Sequence, residues 1–479
     1  ILNFQGTSPI WGMGSLSMLS IRNLGFSYNK NKVFKGINFD VYEGQCFVLT
    51  GASGSGKSTL LKIINGIIPE VNDGEITGEI KLDEQILNDV SITDRSTYIS
   101  TVFQNPKTQF YCVESTDELA FPLENRNTPK EAIIKSIEEY TGLLNTEKLL
   151  NRNIFSLSGG EKQLMAITSV MTMDNKVYLF DEPSSSLDHK SIELLKKAII
   201  ELKKRKKVVI IAEHRLYYLI DILDSMGVLS NSRMEFFQKK ELDNKKIQEL
   251  QNKYLLRSTK EINKRDLARK QYNKIHLLNK EKMAETSDMV LKCDNFIQDF
   301  KANKIIDIKS LNFSNEIYFI IGENGVGKST FIKKLARLIK GTGKSFYKEK
   351  EIKRPYNFIS MVMQDVNYQI FTESVWKEIS IVSDDDKKKR RVLEDLRLYD
   401  KKDAHPQYLS GGEKQRLMIA LAIVSNKPIV VLDEPTSGLC KEQMMTIISY
   451  LKKMKNEGKI VIVITHDYEL IDECGGVIY

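Results

Sequence analysis

The segments Gly51-Ala52-Ser53-Gly54-Ser55-Gly56-Lys57-Ser58 and Gly322-Glu323-Asn324-Gly325-Val326-Gly327-Lys328-Ser329 repeat one GxxxxGKS pattern within a single 479-residue chain. Each follows a short apolar run, Gln45–Thr50 or Ile317–Ile321, and precedes a helix-forming stretch. Strand, glycine loop and helix in succession is the context in which this pattern holds a phosphate chain. Duplication of the unit constrains the fold more than composition does, because a repeat with matched landmarks means two like domains.

The landmarks recur in order. After the first loop come Gln104, Leu157-Ser158-Gly159-Gly160-Glu161, Phe180-Asp181-Glu182-Pro183 and His214. After the second come Gln364, Leu409-Ser410-Gly411-Gly412-Glu413, Leu432-Asp433-Glu434-Pro435 and His466. The offset is 271 residues at the first glycines (Gly51, Gly322), 260 at the glutamines, and 252 at the leucines, aspartates and histidines alike. The second half is therefore 11 residues shorter before its glutamine and 8 shorter again before its LSGG run. The halves differ where accessory layers and partner-contacting helices are expected, which predicts an asymmetric partner.

Alternating stretches at Leu19–Tyr28 and Val33–Val41 predict an antiparallel layer. Val177–Phe180, Val208–Ala212, Ile429–Leu432 and Ile460–Thr465 read as buried strands between helices, hence an α/β fold with mainly parallel sheets. Residues 1–17 look like an expression leader, 18–230 a first domain, 231–287 a charged connector and 288–479 a second domain. Within the connector a short strand near Met234–Phe237 precedes a stretch expected to be solvated.

Lys and Arg number 71 against 63 Asp and Glu, a net charge of +8 that permits an anionic partner without demanding one. Cys46, Cys112, Cys293, Cys440 and Cys474 are scattered, which argues against a disulfide framework or structural zinc. No apolar run approaches the ~18 residues of a membrane helix, so any transport pathway must come from other polypeptides.

Glycines let backbone N–H groups of each loop turn toward a triphosphate, and the following helix adds its positive end. Lys57 and Lys328 are expected to reach the β- and γ-phosphates, and Ser58 and Ser329 to ligate Mg²⁺. Asp181 and Asp433, at strand ends, are expected to hold the Mg²⁺ shell. Glu182 and Glu434 are the candidates to polarise the attacking water. His214 and His466, each 33 residues beyond its aspartate, are candidate γ-phosphate contacts.

These motifs resemble those of ABC ATPases, over nearly everything from Leu19 to Tyr479 except the connector. The resemblance implies two tandem P-loop domains, each with a parallel core, an antiparallel layer and a helical subdomain. It implies ATP and Mg²⁺ as cofactors, bound in composite sites within one chain, each LSGG run facing the opposite loop. One site would join Gly51, Ser53, Gly54, Gly56, Lys57, Ser58, Thr59, Gln104, Asp181, Glu182 and His214 with Ser410, Gly411 and Gly412. The other would join Gly322, Asn324, Gly325, Gly327, Lys328, Ser329, Thr330, Gln364, Asp433, Glu434 and His466 with Ser158, Gly159 and Gly160. Gln104 and Gln364 would serve both metal and water. Tyr28 matches the aromatic that stacks on adenine; the second half offers only Phe296 and Phe300, in a shifted context. The first half reads Ser185-Ser186-Leu187-Asp188 after its Asp-Glu-Pro, whereas the second reads Ser437-Gly438-Leu439-Cys440. Cys440 stands where the family carries Asp, which reads either as tolerated drift or as a sign of unequal communication between the sites.

Around Gln104, Val102-Phe103-Gln104-Asn105-Pro106, Gln109-Phe110 and Asp117-Glu118-Leu119-Ala120-Phe121 look like the ATPases of energy-coupling factor (ECF) transporters. Met363-Gln364-Asp365, followed by Gln369-Ile370-Phe371, resembles the second cassette of fused members. That resemblance implies import of a vitamin or transition-metal ion at the cytoplasmic membrane face. The implied partners are a transmembrane coupling subunit and a small membrane substrate-capture protein, with no nucleic acid. Tandem-cassette translation factors and fused sugar-importer ATPases are the competing classes.

Overall fold

The computed structural model describes residues 18–28, 31–263, 266–267, 290–300 and 303–479; residues 1–17, expected to be a leader, and residues 268–287 of the expected connector lie outside them. Strands Cys46–Gly51, Val177–Asp181 and Val208–Ala212 are buried along their whole length. Unbroken Val, Ile, Leu and Phe runs of this kind form sheets covered on both faces. The six strands lie in the order 233–238, 225–230, 46–51, 208–212, 177–181, 99–102. Every pairing is parallel except the outermost, 225–230 with 233–238. The second half repeats the plan with five parallel strands in the order 359–362, 429–433, 460–464, 317–320, 477–478.

Parallel strands end at one edge, where open α/β sheets bind ligands. In the first half Asp181 pairs with Ala212 and Leu49 with the same residue, so the glycine loop, Glu182 and His214 leave the sheet side by side. Asp433 and Ile464 do the same in the second half.

A four-stranded antiparallel sheet covers one face of each core. In the first half, Leu19, Ile21, Phe26, Phe34 and Val41 project from it onto Phe47, Leu49 and the helix Lys57–Ile64. A helical subdomain, Ser115–Glu124, Lys130–Leu144 and Gly159–Thr172, builds its own small core around Leu119, Leu123, Ile137 and Met165. In the second half the first two of these helices shrink from 10 to 6 and from 15 to 10 residues. The shortening read from the offsets thus falls in the helical subdomain, as well as in the segment before the glutamine.

The connector differs from its expected solvated state. Its strand is Arg233–Gln238, and helix Asn244–Tyr254 with its flanks places Leu242, Leu250 and Leu256 in the core of the first half. Leu267 is buried in the core of the second half. A few leucines spaced among lysines suffice to dock a helix whose other face is charged.

Candidate active site

Each glycine loop opens a helix, Lys57–Ile64 or Lys328–Leu335, from a glycine in the left-handed region: Gly56 at φ 103° and Gly327 at φ 105°. A Cβ on Gly56 would stand 2.7 Å from Phe34 and 2.8 Å from Val33, so space and backbone both demand glycine there. Lys57 Nζ donates to the Gly51 and Ala52 carbonyls at 3.3 and 3.2 Å and lies 3.1 Å from His214 Nε2. Lys328 Nζ donates to Gly322 and Glu323 carbonyls at 2.8 and 2.9 Å. Ser58 Oγ donates to Asp181 at 2.9 Å and Ser329 Oγ to Asp433 at 3.1 Å. Thr59 and Thr330 follow, half-buried, in the same helical turn.

The glutamates next to the aspartates adopt the left-handed backbone, Glu182 at φ 47° and Glu434 at φ 53°. Such a conformation costs a non-glycine residue about 1 kcal/mol, and its recurrence in both halves marks a strained turn that aims both carboxylates. Glu182 accepts from Gln104 Nε2 at 2.8 Å and lies 3.6 Å from His214 Nε2. Glu434 lies 3.7 Å from His466 Nε2 and accepts from Thr465 Oγ1 at 3.3 Å. Burial raises the carboxyl pKa of both glutamates, while it lowers that of Lys57. Asp433 is pushed up to about 6, again by burial. Burial holds His214 well below the ordinary imidazole value, and holds His466 down to about 3, so both rings are neutral near pH 7.

The halves meet head to tail. An added Cβ on Gly160 would stand 2.2 Å from Asn324 Nδ2, and one on Gly159 would stand 3.3 Å from Gln364 Nε2. The first LSGG run therefore lies directly on the second glycine loop. Ser158 and Ser410 each cap the following helix in a reciprocal box with Glu161 and Glu413, which leaves the helix N-terminal amides to face outward. The second run is more open: Ser410 and Gly411 are exposed, and a Cβ on Gly411 would meet nothing within 4 Å. What reaches the first site instead is Gly438, where a Cβ would come within 2.7 Å of Glu182 Oε2 and 3.0 Å of Gln104 Nε2.

The structure thus gathers the loop, Gln, Asp, Glu and His candidates of each half at one edge, and brings Ser158, Gly159 and Gly160 to the second. Tyr28 is 36 % exposed, with an edge contact to Phe26 at 4.6 Å. Phe296 is buried against Phe331 with 5.9 Å between ring centroids, a core position; the Phe300 side chain lies outside the described residues. Sequence reasoning missed Glu213, whose carboxylate accepts from the His214 amide at 2.7 Å and the Tyr218 hydroxyl at 2.9 Å. It also missed Arg257, Asp467 and Glu469. Glu213 sits beside a motif histidine and could have been found; Arg257 is one cation in a charged stretch and could not.

The family model described as ABC transporter matches residues 34–185 and 308–437. A Treponema denticola protein, provisionally named an ABC transporter ATP-binding protein, is 36% identical, over 95% of this chain and 93% of its own. A Bacillus subtilis protein, provisionally named HMP/thiamine import ATP-binding protein YkoD, is 30% identical over 95% and 88% of the two chains. The solved RNase-L inhibitor matches at TM-score 0.62 and 22% identity, over 94% of this chain and 86% of that one, a likeness of fold. Among the described residues no helix is long and apolar enough to cross a membrane. ABC ATP-binding subunits of this kind hydrolyse ATP and work with membrane partners. With two glycine loops, two strained glutamates beside neutral histidines and one LSGG run seated on the opposite loop, the chain belongs to the ABC transporter family, as an ATP-binding and ATP-hydrolysing protein with two fused cassettes.

Proposed function

We propose that the chain powers an ECF-type importer of a vitamin or transition-metal ion, docking through its two helical subdomains onto a transmembrane coupling subunit. A matched pair of rigidly held, exposed aromatics carries this reading. Glu118 accepts from the Tyr111 and Cys112 amides at 2.9 and 2.7 Å, and Glu378 accepts from the Phe371 and Thr372 amides at 3.1 and 2.8 Å. Gln109 and Gln369 tie down the same loops by accepting from Phe103 and Met363 amides at 3.3 and 2.8 Å. The rings those loops carry, Tyr111 and Phe371, are 83 and 79 % exposed. Large apolar side chains held outward on an anchored loop mark a surface awaiting a partner. Both loops lie just beyond Gln104 and Gln364, so a partner there would feel events at the ATP sites.

At those sites the glycine loops with Lys57 and Lys328 bind the phosphates. Ser58 with Asp181, and Ser329 with Asp433, fit Mg²⁺: in each pair hard oxygen donors converge on the loop, with Gln104 or Gln364 close by. The ion would neutralise phosphate charge. Glu182 and Glu434 orient the water and receive its proton, and a neutral His214 or His466 donates to the γ-phosphate as charge develops. Tyr28 stacks on the first adenine. Closure of the second LSGG run onto the first loop completes the pair of composite sites.

The test is capture of the full-length protein from detergent-solubilised cells, with mass spectrometry of what accompanies it. A polytopic coupling subunit and small hydrophobic capture proteins are expected, and Phe371→Ala with Tyr111→Ala should abolish their recovery without reducing ATP binding. Ribosomal proteins alone would overturn the import reading. The Bacillus relative makes HMP and thiamine the first substrates to assay.

A further inference from the structure

Arg257 follows helix Asn244–Tyr254 at the point where the connector leaves the first cassette. Leu256 is buried in the first cassette's core, and Gln251 Nε2 donates to the Arg257 carbonyl at 3.0 Å, so the backbone here belongs to the first cassette. The side chain does not. It is 2 % exposed and enters the second cassette. Nη2 donates to both oxygens of Asp467 at 2.6 Å, Nε to Glu469 Oε2 at 2.6 Å, and Nη1 to the Leu439 carbonyl at 3.2 Å. The next amide, of Ser258, donates to Glu469 Oε1 at 3.0 Å.

Those acceptors lie on segments of different ATP sites, Asp467 capping the helix Tyr468–Cys474 that carries Glu469. Asp467 adjoins His466, and its Oδ2 also accepts from Thr436 Oγ1 at 2.7 Å, just after Glu434-Pro435. Leu439 lies between Gly438, which faces Glu182 and Gln104, and Cys440, whose amide donates to Ser53 Oγ at 3.3 Å. One guanidinium thus touches the histidine loop of the second site and the loop that reaches into the first.

The first cassette solves the same problem with its own residues. The 252-residue register sets Arg215 against Asp467, Ser184 against Thr436 and Glu213 against Thr465. Arg215 Nη1 donates to the Ser184 carbonyl at 3.2 Å, and Glu213 accepts from the amides of Ser184, His214 and Arg215. In the second cassette the carboxylate of Asp467 replaces Arg215, Lys441 pairs with the outer oxygen of Glu469 at 2.9 Å, and the connector supplies the cation that hydrogen-bonds both acids, while Arg215 of the first cassette also faces Asp467.

We propose that Arg257 is a positioning residue for both ATP sites: the connector carries it from the first cassette to fasten the His466 loop and the Gly438–Cys440 loop of the second. Any separation of the cassettes then pulls on both loops together. Only a planar fork with several donors can hold two carboxylates and a carbonyl at once; a lysine ammonium is a point charge.

The experiment uses the purified full chain. Arg257→Lys keeps the buried charge. A second variant, Arg257→Met with Asp467→Asn and Glu469→Gln, leaves no buried acid uncompensated should the first fail to fold. Both are expected to lower kcat for ATP about 10- to 100-fold, the effect of a small misplacement of reacting groups. KM for ATP should stay within about threefold, since ground-state binding is untouched. Loop position is read separately in a Ser53→Cys background, as the yield of the disulfide to native Cys440 on mild copper-phenanthroline oxidation, mapped by mass spectrometry. That yield should fall with either Arg257 change. Wild-type kcat, or an unchanged cross-link with loss confined to KM or to the melting temperature, overturns the proposal. It rests on ATP hydrolysis alone, so neither outcome bears on the import reading.

Discussion

Asp188, in the first cassette, accepts a hydrogen bond on Oδ2 from the Asn324 amide of the second glycine loop at 2.8 Å, while its Oδ1 caps its own helix by accepting from Ser191 at 2.9 Å. At the matched position Cys440 does neither; helix Lys441–Asn456 has no side-chain cap, and the contact across the interface runs from the Cys440 amide to Ser53 Oγ. The two crossings are chemically unlike, although the loops share the 252-residue sequence register.

Cys440→Asp should restore the missing cap and stabilise the protein by about 1 kcal/mol, raising Tm by a few degrees. It should also change the ATPase rate, because the new carboxylate stands beside Ser53. An unchanged rate in steady-state assays would show that the asymmetry has no catalytic consequence.

Glu182→Gln and Glu434→Gln should each slow hydrolysis by at least about 100-fold, as expected for loss of a proton-accepting group. Nucleotide binding, read by fluorescence of a labelled ATP, should persist in both. Wild-type turnover in either variant would remove that glutamate from the chemistry.

Asp433 is held up to about 6 from an ordinary 3.8 by burial. The folded state therefore binds this proton more tightly than the unfolded chain, so ionisation weakens the fold as pH rises from about 4 to about 6. Without nucleotide or Mg²⁺, Asp433→Asn should melt higher than wild type at pH 7, the gap closing toward pH 4. An upper limit of ~3 kcal/mol follows from about two pH units at 1.36 kcal/mol each. A gap that is flat with pH would contradict the burial cause.

Gly160 and Gly412 are equivalent in sequence but not in space. A Cβ meets Asn324 Nδ2 at 2.2 Å from Gly160, whereas Gly412 has Arg416 at 3.7 Å. In the nucleotide-free protein, Gly160→Ala should cost about 1–3 kcal/mol by overpacking and Gly412→Ala much less. Equal losses in calorimetry would mean that the two LSGG runs are seated alike.

Much of this protein was legible in its residues because its chemistry is local. A glycine loop needs its lysine and serine within one turn, and apolar runs such as Val208–Ala212 can only be buried strands, so the duplicated α/β fold and its landmarks follow from short-range spacing. The constant 252-residue register even aligned residues whose roles were not yet visible, Cys440 with Asp188 and Asp467 with Arg215. Nothing in that spacing distinguishes one lysine-rich helix from another, and the connector looked solvated for that reason; its sparse leucines decide its place only against a particular core. Phe296, a candidate aromatic in sequence, is taken by Phe331. By itself, then, the sequence determined two cassettes and the inventory of each ATP site, because those depend on neighbours along the chain. Tertiary structure decided that the first LSGG run is seated while the second is open, and that Arg257 enters the other cassette. Both depend on where surfaces more than a hundred residues apart meet, and buried charge is tolerated only where its partners converge.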